Sequence, residues 1–233
     1  MAAKINKLLR GVMLLGMIGI CSCTKYNYID SGLANGVHDC SMWEYFKTDR
    51  YNWDSTMIMI DHAGLKPLFE GTGEYKQITF FGITNNTIVR YMLDYNRKLD
   101  EDKLAGEEVD DSEYWHRVTD IPASVCVPLL KSLIVTKRLM LDDVPDGNRK
   151  LIDGKSKKEY EEIDGIVVPT MLSELFLWVV RGDYGGVQHA GYASLNMAKR
   201  LSTAENWIVG STDIQTNNGV VQAMGYEFLL RDF

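Results

Sequence analysis

The chain has 233 residues, 45% of them apolar and 24% charged, with a formal net charge of −7. That length can bury a sizeable core, in one large domain or two small ones, without a metal or disulfide staple, and the composition excludes disorder. The acidic balance excludes a general nucleic-acid binder, which needs a net basic face.

Residues 1–10 carry Lys4, Lys7 and Arg10 and no acid, and Val12 to Ile20 is an unbroken apolar run. A basic start and a short apolar run form a secretory signal, and the run is too short to span a bilayer, which takes about 20 apolar residues. The cut region Ile20-Cys21-Ser22-Cys23 resembles a bacterial lipobox, with an aliphatic residue at −3 and the small Ser22 at −1. In this frame Cys23 is the lipidated residue. The competing frame at Cys21 puts the bulky Ile20 at −1 and fits less well. The reading is a signal peptide over 1–22, a polar, glycine-bearing tether over 23–40 and a domain over 41–233, anchored to the membrane through lipid. With Cys23 acylated, Cys40 and Cys126 remain as a disulfide or as two separate thiols. The apolar setting Val125-Cys126-Val127 favours separate thiols.

Ser41 with Glu44 three residues on forms a capping box for a short helix starting at Met42. Asp54-Ser55 reads as the cap of a second helix, Thr56 to Ala63, and Gly64-Leu65 reads as its Schellman stop. Gln77 to Thr84, rich in β-branched and aromatic residues, predicts a buried strand. Asn85-Asn86 can cap a helix over Thr87–Tyr95. Residues 100–113 hold eight acids and one base and read as a solvated loop. Pro122 to Ile134 predicts a helical stretch interrupted by Pro128. Pro145-Asp146-Gly147-Asn148, Asp153-Gly154 and Asp164-Gly165 predict hairpin turns ahead of Ile166-Val167-Val168. Leu172 to Val180 is compatible with helix or strand. Asn217-Asn218-Gly219 between apolar runs predicts a hairpin with a type I′ turn and positive φ at Gly219. Helices early and a β-wedge of hairpins late give an α+β fold class.

The helix ending in Ala63-Gly64-Leu65 leads to Thr79-Phe80-Phe81-Gly82-Ile83-Thr84-Asn85. Later, Asp213-Ile214 precede Asn218-Gly219-Val220-Val221-Gln222 and a final strand expected over Tyr226 to Leu230. The order and wording of these segments resemble fasciclin-like domains, in which Thr-Val-Phe-Ala-Pro-Thr-Asn follows such a helix and Asp-Ile precedes Asn-Gly-Val-Ile-His. Thr79, Phe81, Thr84 and Asn85 match. Gly82-Ile83 replaces Ala-Pro, Gln222 replaces the His, and Leu133-Ile134 stands where the family has Tyr-His. The resemblance covers residues 41–233, with insertions near 98–118 and 171–190. A lipobox ahead of such a domain resembles surface lipoproteins of Bacteroidetes-type bacteria. The matching residues read as structural, so they point to a fold and name no site.

Chemistry is sparse. Among the cysteines and histidines there is no C-x-x-C and no H-x-x-x-H, so no zinc site is implied, nor any cofactor. His62 reads as a dipole partner near a helix end. Asp142-Asp143-Val144-Pro145-Asp146-Gly147 fails as a calcium loop, because Val144 and Pro145 offer no side-chain oxygen. Gly182-Asp183-Tyr184-Gly185-Gly186 lacks phosphate-loop spacing, and no Gly-x-Ser-x-Gly or Ser-x-x-Lys occurs. The candidate binding residues are aromatic. Trp43, Tyr45, Tyr51 and Trp53 fall within eleven residues beside Asp49, Arg50 and Asn52, and Trp115 with Tyr114 and His116 borders the acidic segment. Aromatic faces beside amides and carboxylates suit sugar stacking, although helix packing is the simpler account of the same residues. The resemblance implies a non-catalytic envelope lipoprotein of the outer membrane, on the cell surface or the periplasmic face. It would mediate adhesion by binding an extracellular protein, a glycan or a neighbouring outer-membrane protein. The alternative is a structural accessory subunit of an outer-membrane polysaccharide-uptake system.

Overall fold

The computed structural model describes residues 36–152, 159–200, 202–203 and 205–233. The expected signal peptide, Cys23, the expected tether up to residue 35 and the turn expected at Asp153-Gly154 lie outside the described residues. Among those described, no helix is long and apolar enough to cross a membrane.

Helices come first. Helix α1 (Met42–Thr48) is capped by Ser41, whose hydroxyl accepts from Glu44 N–H at 3.2 Å. The Glu44 carboxylate pairs with Lys47 at 2.6 Å, so it does not reach back to complete the expected capping box. Helix α2 (Arg50–His62) begins six residues before the expected start at Thr56, because Asp49 is its cap and accepts from Asn52 N–H. Asp54, the expected cap, bonds Arg50 one turn back at 2.8 Å on the helix surface. The stop is as read. Gly64, at φ 69°, lets Leu65 N–H donate to Ile60 C=O and Gly64 N–H to Asp61 C=O, the double bond of a Schellman motif. Helix α3 (Lys66–Glu70) follows at once.

Strand β1 (Ile78–Gly82) is buried along its whole length. Helix α4 (Asn85–Leu104) runs well past the expected Tyr95 and takes in the first part of the acidic segment. Arg97 bonds both Asp94 and Glu101 at helical spacing, and buried Leu99 anchors the inner face, so local acidity did not stop the helix. Helix α5 (Ala123–Ser132) carries straight through Pro128.

The sheet has seven strands in the order β2-β1-β9-β8-β7-β6-β5. These are β2 (Ile134–Val135), β5 (Ile166–Pro169), β6 (Glu174–Arg181), β7 (Ala193–Lys199), β8 (Trp207–Thr216) and β9 (Gly219–Met224) around β1. All neighbours are antiparallel except β1 and β9, which run parallel with Ile78 opposite Gly219. Leu172–Val180 therefore resolves as strand from Glu174 onward, with Leu172 and Ser173 in the bend before it. The strands β3 (Asn148–Ile152) and β4 (Glu159–Ile163) form a separate two-stranded ribbon. Helices gathered before a meander of β5 to β9 make the fold α+β. The main core lies between the helices and the sheet, and Phe176, Trp178 and Ala198 form a second small cluster.

Two expectations near the chain end are corrected. The β8–β9 turn is not type I′, since neither Asn217 nor Asn218 has positive φ. Gly219 does have φ 150°, but it sits in the strand, and a Cβ there would lie 1.9 Å from Ile78 C=O. The glycine is required by the parallel partner rather than by the turn. Tyr226–Leu230 is not a strand: Tyr226 and Glu227 form a turn, held by Phe228 N–H donating to Gly225 C=O, and Leu230 opens a short 3-10 helix.

The motif residues work as structural joints. Thr79 Oγ1 donates to Lys137 C=O and accepts from Leu139 N–H, both at 2.8 Å. Asn85 bonds the first turns of α2 through Ser55 N–H, Arg50 C=O and Tyr51 C=O. Gln222 accepts from Asp213 N–H and donates to the Asp213 carboxylate and Leu139 C=O. This holds Asp213 at φ 60°. Cys40 and Cys126 are both free thiols.

Candidate functional site

Strand β8 carries two irregularities. Val209 faces Met224 and Ser211 faces Ala223, leaving Gly210 as an extra residue, and a second extra residue falls between Ser211 and Ile214. Such bulges bend a strand and re-aim its side chains. The first one opens a cleft of about 310 Å³ between the end of the β8–β9 pair and the junction of α1 with α2. Gly210 and Gly225 approach closely across its floor, where a Cβ on Gly210 would meet Gly225 Cα at 3.1 Å.

Two of the aromatic candidates come together here. Tyr45 and Trp53 line one wall, with ring centroids 6.4 Å apart. Trp53 is almost wholly covered. It is 2% exposed, stacks on Phe46 at 4.8 Å and sets the far edge of its indole, Cη2 and Cζ3, against Gly82. Tyr45 is half-buried and also touches the His38 ring at 4.4 Å. Burial pushes the Tyr45 phenol up, the Asp49 carboxylate adds to this and a hydrogen bond with Trp53 works against it. Beside them, Asn52 donates to Asp49 through both its backbone and its side chain, the latter at 2.6 Å, so the acid and amide are fixed as a pair.

The opposite wall was not anticipated. Tyr226 lines it and is 72% exposed. Arg90 donates to Tyr226 C=O at 2.6 Å and sits 5.4 Å over the ring, which holds an exposed aromatic in place. Nothing in the local sequence marks this pairing, because Arg90 and Tyr226 are brought together only by the packing of α4 against the sheet end. Thr84, at the N-cap of α4, makes no side-chain cap bond and lines the same cleft, as does exposed Ser211.

The remaining aromatic candidates lie elsewhere. Trp43 is buried, with Lys66 lying 5.1 Å over its ring. Tyr51 is 88% exposed at the start of α2 and is not among the residues lining the cleft. Trp115 is buried and stacks on Tyr95 at 3.6 Å, while Asn96 bonds both its N–H and its C=O. It pins the segment after α4 and offers little face to solvent. Tyr114 Oη donates to Asp100, which raises the phenol. His62 Nε2 lies 3.0 Å from Ile121 C=O, a packing contact at the end of α2. Among the described residues, no group of three or more histidines, cysteines or acids is placed to hold a metal ion.

No protein-family model matches the chain, and no curated protein matches it. Among solved structures, it is similar to a FAS1 domain pair from the insect cell adhesion molecule fasciclin I, with a TM-score of 0.49 and 12% identity over 83% of this chain and 52% of that one. The chain thus spans about half the length of that domain pair.

Proposed function

We propose that this chain is a lipid-anchored, non-catalytic binding module of the bacterial cell envelope, with a fasciclin-like domain after its anchor. The observation that carries the reading is the start of the sequence: three bases without an acid, an apolar run of nine, and Ile20-Cys21-Ser22-Cys23. A diacylglycerol joined to the Cys23 thiol, followed by cleavage after Ser22 and acylation of the freed amine, puts two or more chains on Cys23, which together make a stable anchor. The residues that carry the fasciclin-like wording support a binding role over a catalytic one. Thr79, Asn85, Asp213 and Gln222 are occupied in joining backbone segments. Function then rests with surfaces, and the partner is an extracellular protein, a glycan or a neighbouring outer-membrane protein.

Two measurements test the reading. Metabolic labelling with a clickable palmitate analogue should mark the wild-type chain and be lost in Cys23→Ala. Labelling that persists in Cys23→Ala and disappears in Cys21→Ala overturns the frame. Cells carrying and lacking the chain should then differ in retention on protein- or glycan-coated surfaces, or in cross-linked envelope partners. Identical behaviour in both assays overturns the binding role.

A further inference from the structure

The cleft between Tyr45 and Tyr226 has the makings of a selective site, and its walls decide which chemistry it accepts. Its lining contains one carboxylate, Asp49, and no basic side chain. An anionic ligand would meet that carboxylate, and Arg90, behind the lining, is already engaged with the Tyr226 carbonyl and ring. A cationic ligand is disfavoured at the other wall. Arg90 already lies over the Tyr226 ring, so its charge opposes a second cation at the same aromatic. Asp49 is moreover engaged at the N-terminus of α2, where the helix end and the Asn52 donors offset its charge.

A neutral ligand rich in hydroxyls meets none of these objections. The Asp49–Asn52 pair presents remaining acceptor positions held in fixed geometry, and the hydroxyls of Thr84, Ser211 and Tyr226 add groups that both donate and accept. The Tyr226 ring, steadied by Arg90, supplies an apolar face. A volume near 310 Å³ falls at the small end of ligand-sized pockets, enough for a short stretch of a chain of rings rather than a large cofactor. Gly210, at the bulge, and Gly225 carry no side chain, so at these two positions of the lining a ring can approach the backbone.

We propose that this cleft binds a neutral saccharide, one ring stacked on Tyr226 and its hydroxyls bonded to the Asp49–Asn52 pair. The inference rests on the binding-module reading and deepens it by naming the site and the ligand class.

The test is isothermal titration of the full chain with xylotetraose, cellotetraose and mannotetraose, with tetralysine and tetragalacturonate as charged probes. Tyr226→Ala removes an exposed ring, and Asp49→Asn keeps a residue able to cap α2. Tyr51→Ala, an exposed aromatic outside the cleft, is the control, and melting temperatures verify that all three fold. At least one neutral oligosaccharide should bind, with affinity falling about tenfold or more in Tyr226→Ala, falling in Asp49→Asn and unchanged in Tyr51→Ala. Preference for either charged probe overturns the ligand class. Neutral binding unaffected by Tyr226→Ala overturns the site and leaves the module reading standing. No binding to any neutral probe overturns the proposal, while cell retention and cross-linking decide the module reading separately.

Discussion

Asn218 Oδ1 accepts the backbone N–H of Met42 at 2.7 Å, across 176 positions of sequence. The same side chain donates through Nδ2 to Leu68 C=O and Phe69 C=O, both at 3.0 Å. One buried amide in the β8–β9 turn therefore satisfies the first N–H of α1 and two carbonyls at the end of α3. Helix ends leave such groups without partners, and buried ones must find them. The turn thus clamps the helical layer to the sheet.

Asn218→Ala should strand Met42 N–H and Phe69 C=O in a buried setting, while Leu68 C=O keeps the Gly71 N–H. Each unsatisfied group costs about 1–3 kcal/mol, and partial relaxation brings the expected loss to about 3 kcal/mol. Asn218→Asp should be worse, since it keeps the acceptor towards Met42 but sets a carboxylate against two carbonyl oxygens. Urea midpoints of the two variants check this. An Asp variant as stable as wild type would mean that the clamp does not exist.

Gly219→Ala should disrupt the β1–β9 pair. A Cβ would stand 1.9 Å from Ile78 C=O, and φ 150° is unfavourable for any L side chain. Strain of about 1–3 kcal/mol adds to the loss of parallel ladder bonds, so the alanine variant should already be severely destabilised, with valine lower still. Hydrogen exchange at Phe80 and Val221 reports the site directly. Retained protection there in Gly219→Ala would show that the pair accommodates a Cβ at this position and overturn the prediction.

The two thiols should differ in reactivity. Cys126 is fully buried, its Sγ donates to Ile121 C=O, and burial pushes its thiol up to about 11. Cys40 is half-buried and is raised as well, by burial first and then by Glu44 and Asp39. Under native conditions near pH 8, maleimide should label Cys40 slowly and Cys126 only after unfolding, as peptide mapping will show. The folded value of Cys126 lies above its ordinary 9.0. Its contribution to stability is therefore complete below about 9 and lost as the pH rises towards 11. Cys126→Ala should flatten that part of the alkaline stability curve.

What the sequence made legible was local. The Schellman stop at Gly64-Leu65, the buried strand through Phe80-Phe81 and the β8–β9 hairpin depend on residues within a few positions of one another. The early start of α2 was missed because Asp49 and Asp54 are equally good caps in isolation. Arg50 decides between them by binding Asp54 on the helix surface. The length of α4 was missed because eight acids in fourteen residues read as loop, while Arg97 and buried Leu99 keep the helix going. For the cleft, the Tyr45–Trp53 side was visible as an aromatic cluster. The Tyr226 wall was not, because Arg90 meets it across 136 positions and the bulge at Gly210 leaves no pattern in a strand of ordinary composition.

Trp53 and Tyr51, two residues apart, should respond in opposite ways to the same substitution. Trp53 is 2% exposed and wedged between Phe46 and Gly82, with the Tyr45 ring at its edge. Removing it leaves a cavity lined by rings that cannot collapse onto the gap, so Trp53→Ala should cost about 3–5 kcal/mol. Tyr51 is 88% exposed on the surface of α2. Tyr51→Ala should stay within about 0.5 kcal/mol of wild type. Thermal melts of both variants, run side by side, settle the assignment. A wild-type melting temperature for Trp53→Ala would mean that the indole is not part of the core. A large drop for Tyr51→Ala would mean that its ring is covered, by a segment outside the described residues or by a partner, and the surface beside α2 would then have to be redrawn.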